Sequence, residues 1–246
     1  MRRGMEFEVN GLRVSAGFEE ESLISLLQPV VDRLFAMKAA VGEDRLVAFL
    51  AGPPGAGKST LSLMLQCMAD ERAPGTLQAL PMDGFHHTAA FIASHTVLRD
   101  GEEIPMARVK GSPESYDLEK LEAAIRALKC GPVRWPAYDR RLHDVVEDAT
   151  AVSGGIALVE GNWLLMDEPG FARLRALCDL SIALWADETL LRDRLIGRKR
   201  MGGSSREAAE AHYDGCDLPN ICRYHRHSAR GDVNLKVTGD GAFEAM

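Results

Sequence analysis

The sequence predicts an α/β fold built on parallel strands, and three observations carry that prediction. Residues 45–51 are a short apolar run of strand length, a glycine-rich loop follows at once, and residues 60–65 open a helical pattern. Two further apolar runs, residues 156–159 and 180–185, have the unbroken hydrophobic character of strands covered on both faces. Three strand candidates end on an acidic residue, at Asp83, Glu160 and Asp187. Parallel strands bring such ends to one edge, where open α/β sheets bind ligands.

The loop between the first strand and its helix reads Gly52, Pro53, Pro54, Gly55, Ala56, Gly57, Lys58, Ser59, Thr60, a G-x-x-x-x-G-K-S phosphate loop in its required strand-to-helix context. Glycines let the backbone curl until successive N–H groups point at an anion, and the helix N-terminus adds partial positive charge. Lys58 has the reach for the β- and γ-phosphates, and the Ser59 hydroxyl suits a place on Mg²⁺. Nucleoside triphosphate binding follows from this stretch.

The 246 residues suffice for one large core, and no Pro/Ser-rich linker or shift of composition divides them, so a single domain over 1–246 is expected. Within it, residues 1–44 form an N-terminal hairpin and helix, and 45–246 the core. The net charge of −7 argues against a nucleic-acid partner, because backbone phosphates call for a basic face. No apolar run is long enough to span a membrane and no cleavable signal is seen, so a soluble cytoplasmic protein is expected. Five scattered cysteines predict free thiols, and their spacing with the late histidines fits no zinc scheme.

In chain order, residues 6–9 and 12–14 flank Asn10-Gly11, a tight-turn pair, and apolar residues at three and four spacing predict a helix over about 19–40. Residues 76–82 are a second strand ending at Asp83. Residues 88–111 show no period and carry Arg99, Arg108 and Lys110, which reads as an excursion over the site. A helix follows over 118–129, then two extended segments, 133–138 and 145–150, around a charged turn containing Arg140, Arg141 and His143. The helix from Glu188 carries Arg192, Arg194, Arg198, Lys199 and Arg200 into Gly202-Gly203, which predicts a lid over about 192–214. A short helix over 206–213 and a strand over 233–237 complete the chain.

Five stretches in this order resemble one family. They are residues 52–60, Met82-Asp83-Gly84-Phe85-His86, residues 110–117, Pro136-Ala137-Tyr138-Asp139 with His143, and Val159-Glu160-Gly161-Asn162. The chain is similar, from about residue 46 onward, to the phosphoribulokinase and uridine kinase group of phosphate-loop kinases, which includes type I pantothenate kinases and bacterial fructose transport system kinase-like members.

The resemblance implies a P-loop NTPase three-layer α/β/α sandwich with a mostly parallel sheet, a lid helix and a substrate-side β-hairpin. It implies ATP as phosphoryl donor, Mg²⁺, and a small-molecule acceptor such as a sugar, polyol or pantothenate-like acid, with a homodimer left open. On its pattern Asp83 is the base, Lys58 and Arg194 join it in catalysis, and Arg198 with the loop binds nucleotide. Ser59 and Glu160 hold the metal, and His86, Arg108, Tyr138, Arg140, His143 and Glu160 face the acceptor. Which of Arg194 and Arg198 approaches the phosphates stays open, as does whether Tyr138 touches the acceptor or packs on its hairpin. The rival expectation is a nucleotide-binding switch with no acceptor, although no N-K-x-D guanine-reading motif is present.

Overall fold

The structure, a computed structural model, describes residues 1–9, 11–99, 101–239 and 241–246, with the Leu12 side chain set aside. Its strands in chain order are β1 (Arg2–Val9), β2 (Leu12–Glu19), β3 (Leu46–Ala51), β4 (Leu77–Pro81), β5 (Thr96–Arg99) and β6 (Glu102–Pro105). There follow β7 (Val133–Asp139), β8 (Asp144–Val152), β9 (Ile156–Gly161), β10 (Leu180–Ala186), β11 (Val233–Val237) and β12 (Phe243–Ala245). The central sheet has the order β12-β11-β10-β3-β9-β4, and only β12 runs antiparallel to its neighbour.

The apolar run at β3 is explained by its place between β10 and β9, with all of its side chains buried. Alternation sends them to opposite faces. Leu46, Ala48 and Leu50 enter a core shared with the helices Gln28–Val41 and Lys58–Arg72. Val47, Phe49 and Ala51 enter a second core with the helix Leu118–Leu128 and with Trp135 and Trp163. Two helical layers on one mostly parallel sheet are the expected sandwich.

Several elements differ from the sequence expectation. The N-terminal hairpin pairs from Arg2 with Glu19 to Val9 with Leu12, and it buries Phe7 and Phe18 in the first core. The Asn10 half of the expected Asn-Gly turn lies outside the described residues. The helix expected over 19–40 passes through a π turn at Leu23–Leu27 before Gln28–Val41, and a second π turn at Tyr213–Asp217 precedes the helix Leu218–His227. Pro29 and Pro219 stand in the first turn of the helices that follow, and a residue with no N–H cannot continue an α ladder from the preceding turn.

The aperiodic stretch over 88–111 contains a helix at Ala89–Ser94, the hairpin of β5 and β6, and a 3₁₀ turn at Met106–Val109. Ile92, Val97, Met106 and Val109 form a small core of their own there. The helix Leu218–His227, unanticipated from sequence, docks through Ile221 and Tyr224, and the Tyr224 hydroxyl donates to the Leu184 carbonyl at 3.0 Å. Among the described residues no helix is long and apolar enough to cross a membrane.

Candidate active site

The phosphate loop sits where β3 hands over to the helix Lys58–Arg72. Gly55 and Gly57 have φ of +80° and +90°, a left-handed conformation that favours glycine, and Gly57 caps the helix in that state. Gly52 is required by space instead, since a Cβ there would lie 2.9 Å from the Leu184 Cβ and 3.2 Å from the Lys58 Cγ. The loop therefore wraps closely round the lysine, whose Nζ donates to the Pro53 carbonyl at 3.1 Å and to Asn162 Oδ1 at 2.5 Å. The Ser59 hydroxyl donates to Glu160 Oε1 at 2.7 Å.

Register explains how the second carboxylate arrives. Glu160 of β9 stands beside Leu50 of β3 on one side and Pro81 of β4 on the other. Asp83 follows two residues after Pro81, on the 3₁₀ turn Met82–Phe85. Parallel pairing thus brings Lys58, Glu160 and Asp83 to one edge from three strands.

Their charges act on each other. Burial raises the Glu160 carboxyl to about 7 against the pull of Lys58, and Asp83 pushes it the same way. Burial lowers Lys58 from the usual lysine range, while Glu160 and Asp83 draw it back up. Arg198 joins from the helix Glu188–Met201; the residue is exposed, yet the surrounding protein still lowers the pKa of its guanidinium, with Arg140 adding to the effect. Arg140, from the turn between β7 and β8, also acts on Glu160.

A wall of rings adjoins Asp83. The Tyr116 hydroxyl donates to Asp83 Oδ1 at 3.4 Å, and burial followed by the Asp83 charge raises the Tyr116 pKa well above its ordinary value. The His86 ring lies 3.9 Å from the Tyr116 ring and 5.5 Å from that of Tyr138, between centroids. Burial lowers the pKa of His86, which leaves it neutral at physiological pH. Lys110 Nζ closes the row, donating to the Tyr138 hydroxyl at 2.7 Å.

Residues 47–242 match the family described as phosphoribulokinase / uridine kinase. The chain belongs to that family. It is 38% identical over 241 residues to the uncharacterised protein YggC of Escherichia coli K12, covering 97% of this chain and 98% of that one. It superposes with a TM-score of 0.74 on a provisionally assigned fructose transport system kinase from Silicibacter sp. TM1040, at 32% identity, covering 86% of this chain and 98% of the other. A pantothenate kinase of Nitrobacter hamburgensis is 29% identical over 192 residues, or 72% of this chain and 58% of its own length.

Within this kinase-family chain the expected site residues separate into two groups. Lys58, Ser59, Asp83, Glu160, Arg140 and Arg198 share one electrostatic neighbourhood, with His86 and Tyr138 on the ring wall beside it. Arg194 takes another position. Its Nη1 donates to the Gly55 carbonyl at 3.3 Å and its Nη2 to the Gly239 carbonyl at 2.7 Å, which ties the loop to the chain after β11.

Arg108 is exposed on the turn Met106–Val109, and His143 is exposed at the hairpin tip with a φ of +55°. Neither has a hydrogen bond or ion pair to the cluster among the described residues. Asp187 shares the sheet edge, but its carboxylate pairs with Lys236 at 2.9 Å. Asn162 and Tyr116 join the site without an individual signal in the sequence, although each lies in a stretch that carries the family resemblance, and Lys110 stands out there only as one cation of the excursion over residues 88–111.

The raised Glu160 carboxyl has a consequence for stability. A carboxyl whose folded pKa exceeds its ordinary 4.5 stabilises the fold fully below that value and loses the contribution as pH rises toward about 7. The ligand-free protein is therefore expected to lose thermal stability across that window, and Glu160→Gln to flatten the loss. Melting curves recorded across the pH range check this, and an unchanged slope in the variant would place the titration elsewhere.

Proposed function

We propose that the chain is an ATP-dependent phosphotransferase that moves the γ-phosphoryl group to a hydroxyl of a sugar, polyol or pantothenate-like acceptor, with Asp83 as the base. The observation that supports it is the convergence of the loop lysine and serine with two carboxylates from neighbouring strands, one of them beside a wall of rings.

The residues divide the work. Loop N–H groups, Lys58 and the guanidinium of Arg198 offset the charge that spreads over the phosphoryl oxygens in transfer. Asp83 accepts the proton of the attacking hydroxyl, and Tyr116 orients its carboxylate. Ser59 Oγ and the Glu160 carboxylate form an all-oxygen pair beside the cradle, the donor set that Mg²⁺ prefers when phosphates and water complete its shell. When bound, that ion would supply charge neutralisation for the phosphoryl group in transfer.

The test is a screen of sugars, polyols, hydroxy acids, nucleosides and vitamins for acceptor-dependent ADP release. At least one class is expected to accelerate ADP formation far above the rate with water alone. Slow hydrolysis indifferent to every acceptor, but quickened by a protein, would favour a nucleotide switch instead.

A further inference from the structure

Lys110 is a half-buried cation whose backbone is pinned. Its carbonyl accepts from Cys216 Sγ at 3.3 Å, the next carbonyl, of Gly111, accepts from Trp163 Nε1 at 3.0 Å, and the Gly111 N–H donates to Ser115 Oγ at 2.9 Å. Ser115 and Trp163 are fully buried, so the segment has little freedom to move. Held in this way, the ammonium lies 4.7 Å from the Tyr138 ring centroid and spends one of its three donors on the Tyr138 hydroxyl.

Among the described residues no carboxylate lies within ion-pair distance of it. Asp144 feels its charge from beyond ion-pair distance, and its Oδ1 accepts from the N–H groups of Ala89 and Val145. A positioned cation kept part-way out of water with donors to spare is arranged for an anion that arrives from outside. The row of contacts says where. From Lys110 through Tyr138, His86 and Tyr116 it runs without a break to Asp83.

We infer that Lys110 reads an anionic group, a carboxylate or a phosphate, carried by the acceptor at the end away from its reacting hydroxyl. The inference rests on the kinase reading above and narrows it: a hydroxy acid or a sugar phosphate is taken, and the neutral polyol of the same length is refused. Tyr138 positions the lysine, and the rings of His86 and Tyr116 line the path between the two ends of the acceptor.

The test compares matched sets, from glycerol, glycerate and glycerol phosphate up to the hexitols with their sugar acids and sugar phosphates. In turnover assays the carboxylate or the phosphate arm should win. Lys110→Met should then raise the KM for that acceptor about 10- to 100-fold, leave kcat and the KM for ATP near their original values, and be partly rescued by Lys110→Arg. A best acceptor without charge, or a Lys110→Met enzyme with unaltered acceptor KM, overturns the inference while leaving the kinase reading intact.

A second measurement does not depend on turnover. Reductive methylation mapped by mass spectrometry, with a non-hydrolysable ATP analogue present, should show Lys110 protected by members of one anionic arm and not by their neutral counterparts. Equal labelling of Lys110 with and without every anion, while the analogue shields Lys58, refutes the inference even if no acceptor is turned over.

Discussion

Asp83→Asn is expected to lower acceptor-dependent turnover by about 10²- to 10⁴-fold, the span associated with loss of a general base, while the affinity for an ATP analogue stays near that of the original protein. The amide keeps the shape of the carboxylate and can still accept from Tyr116, so the turn Met82–Phe85 should hold its place. The loop contacts of Lys58 and Ser59 are made with Pro53, Asn162 and Glu160 and do not involve Asp83, so nucleotide binding has its own support.

The same substitution carries a second signature. Asp83 is one of the groups that push the Glu160 carboxyl up to about 7, so its removal should shift the pH-dependent loss of stability toward lower pH. Steady-state kinetics, analogue titration and melting curves on one variant therefore report three separate consequences. Turnover close to the original would show that the proton goes elsewhere.

Gly84→Ala should be nearly as damaging, for a reason of space. A Cβ at Gly84 would lie 2.2 Å from the Pro136 carbonyl oxygen, 2.4 Å from its carbon and 2.8 Å from the Ala137 nitrogen. All three are backbone atoms of β7, which cannot swing aside as a flexible side chain would. Near the same seam Trp135 Nε1 donates to the Pro81 carbonyl at 2.8 Å and its indole packs edge-on against Phe85, 4.8 Å between centroids.

The methyl must therefore part the turn bearing Asp83 from the hairpin of β7 and β8. Forced overpacking of this kind costs about 1–3 kcal/mol. A base displaced by about 1 Å costs on the order of 10² in rate. The expected result is a lowered melting temperature with turnover down about 100-fold and nucleotide affinity largely kept. A variant as stable and as active as the original would mean that the seam is soft and that the position of Asp83 does not depend on it.

What the sequence disclosed, and what it withheld, follows from the range of the interactions. The cradle was legible because strand, glycines, lysine and serine are contiguous, and each obeys a local rule. Glu160 was legible because a carboxylate at the end of a buried apolar run is itself a local pattern, and Asp83 because it closely follows a segment of strand length. The partners of those groups were not. Tyr116 meets Asp83 across 33 positions of chain and Lys110 meets Tyr138 across 28, distances over which periodicity says nothing.

The arginines show the same limit. Arg108, Arg140, Arg194 and Arg198 are equivalent as letters near a site. Only the fold sends Arg140 and Arg198 toward the carboxylates, Arg194 to the carbonyls of Gly55 and Gly239, and Arg108 into solvent. The strands β5, β6 and β12 escaped notice because three or four residues are too few to display an alternation. The two π turns hid for another reason, since the prolines that cause them mark only that a ladder is interrupted and not which hydrogen bonds replace it.

A crystal structure with Mg²⁺ and a non-hydrolysable ATP analogue, solved with an acceptor bound, tests the central claim most directly. The expected result is the γ-phosphoryl group held by the loop N–H groups and Lys58, with the acceptor hydroxyl between it and Asp83 and within about 3 Å of the carboxylate. A terminal phosphate seated away from Lys58, or an Asp83 carboxylate turned from the hydroxyl with the acceptor in place, would contradict it.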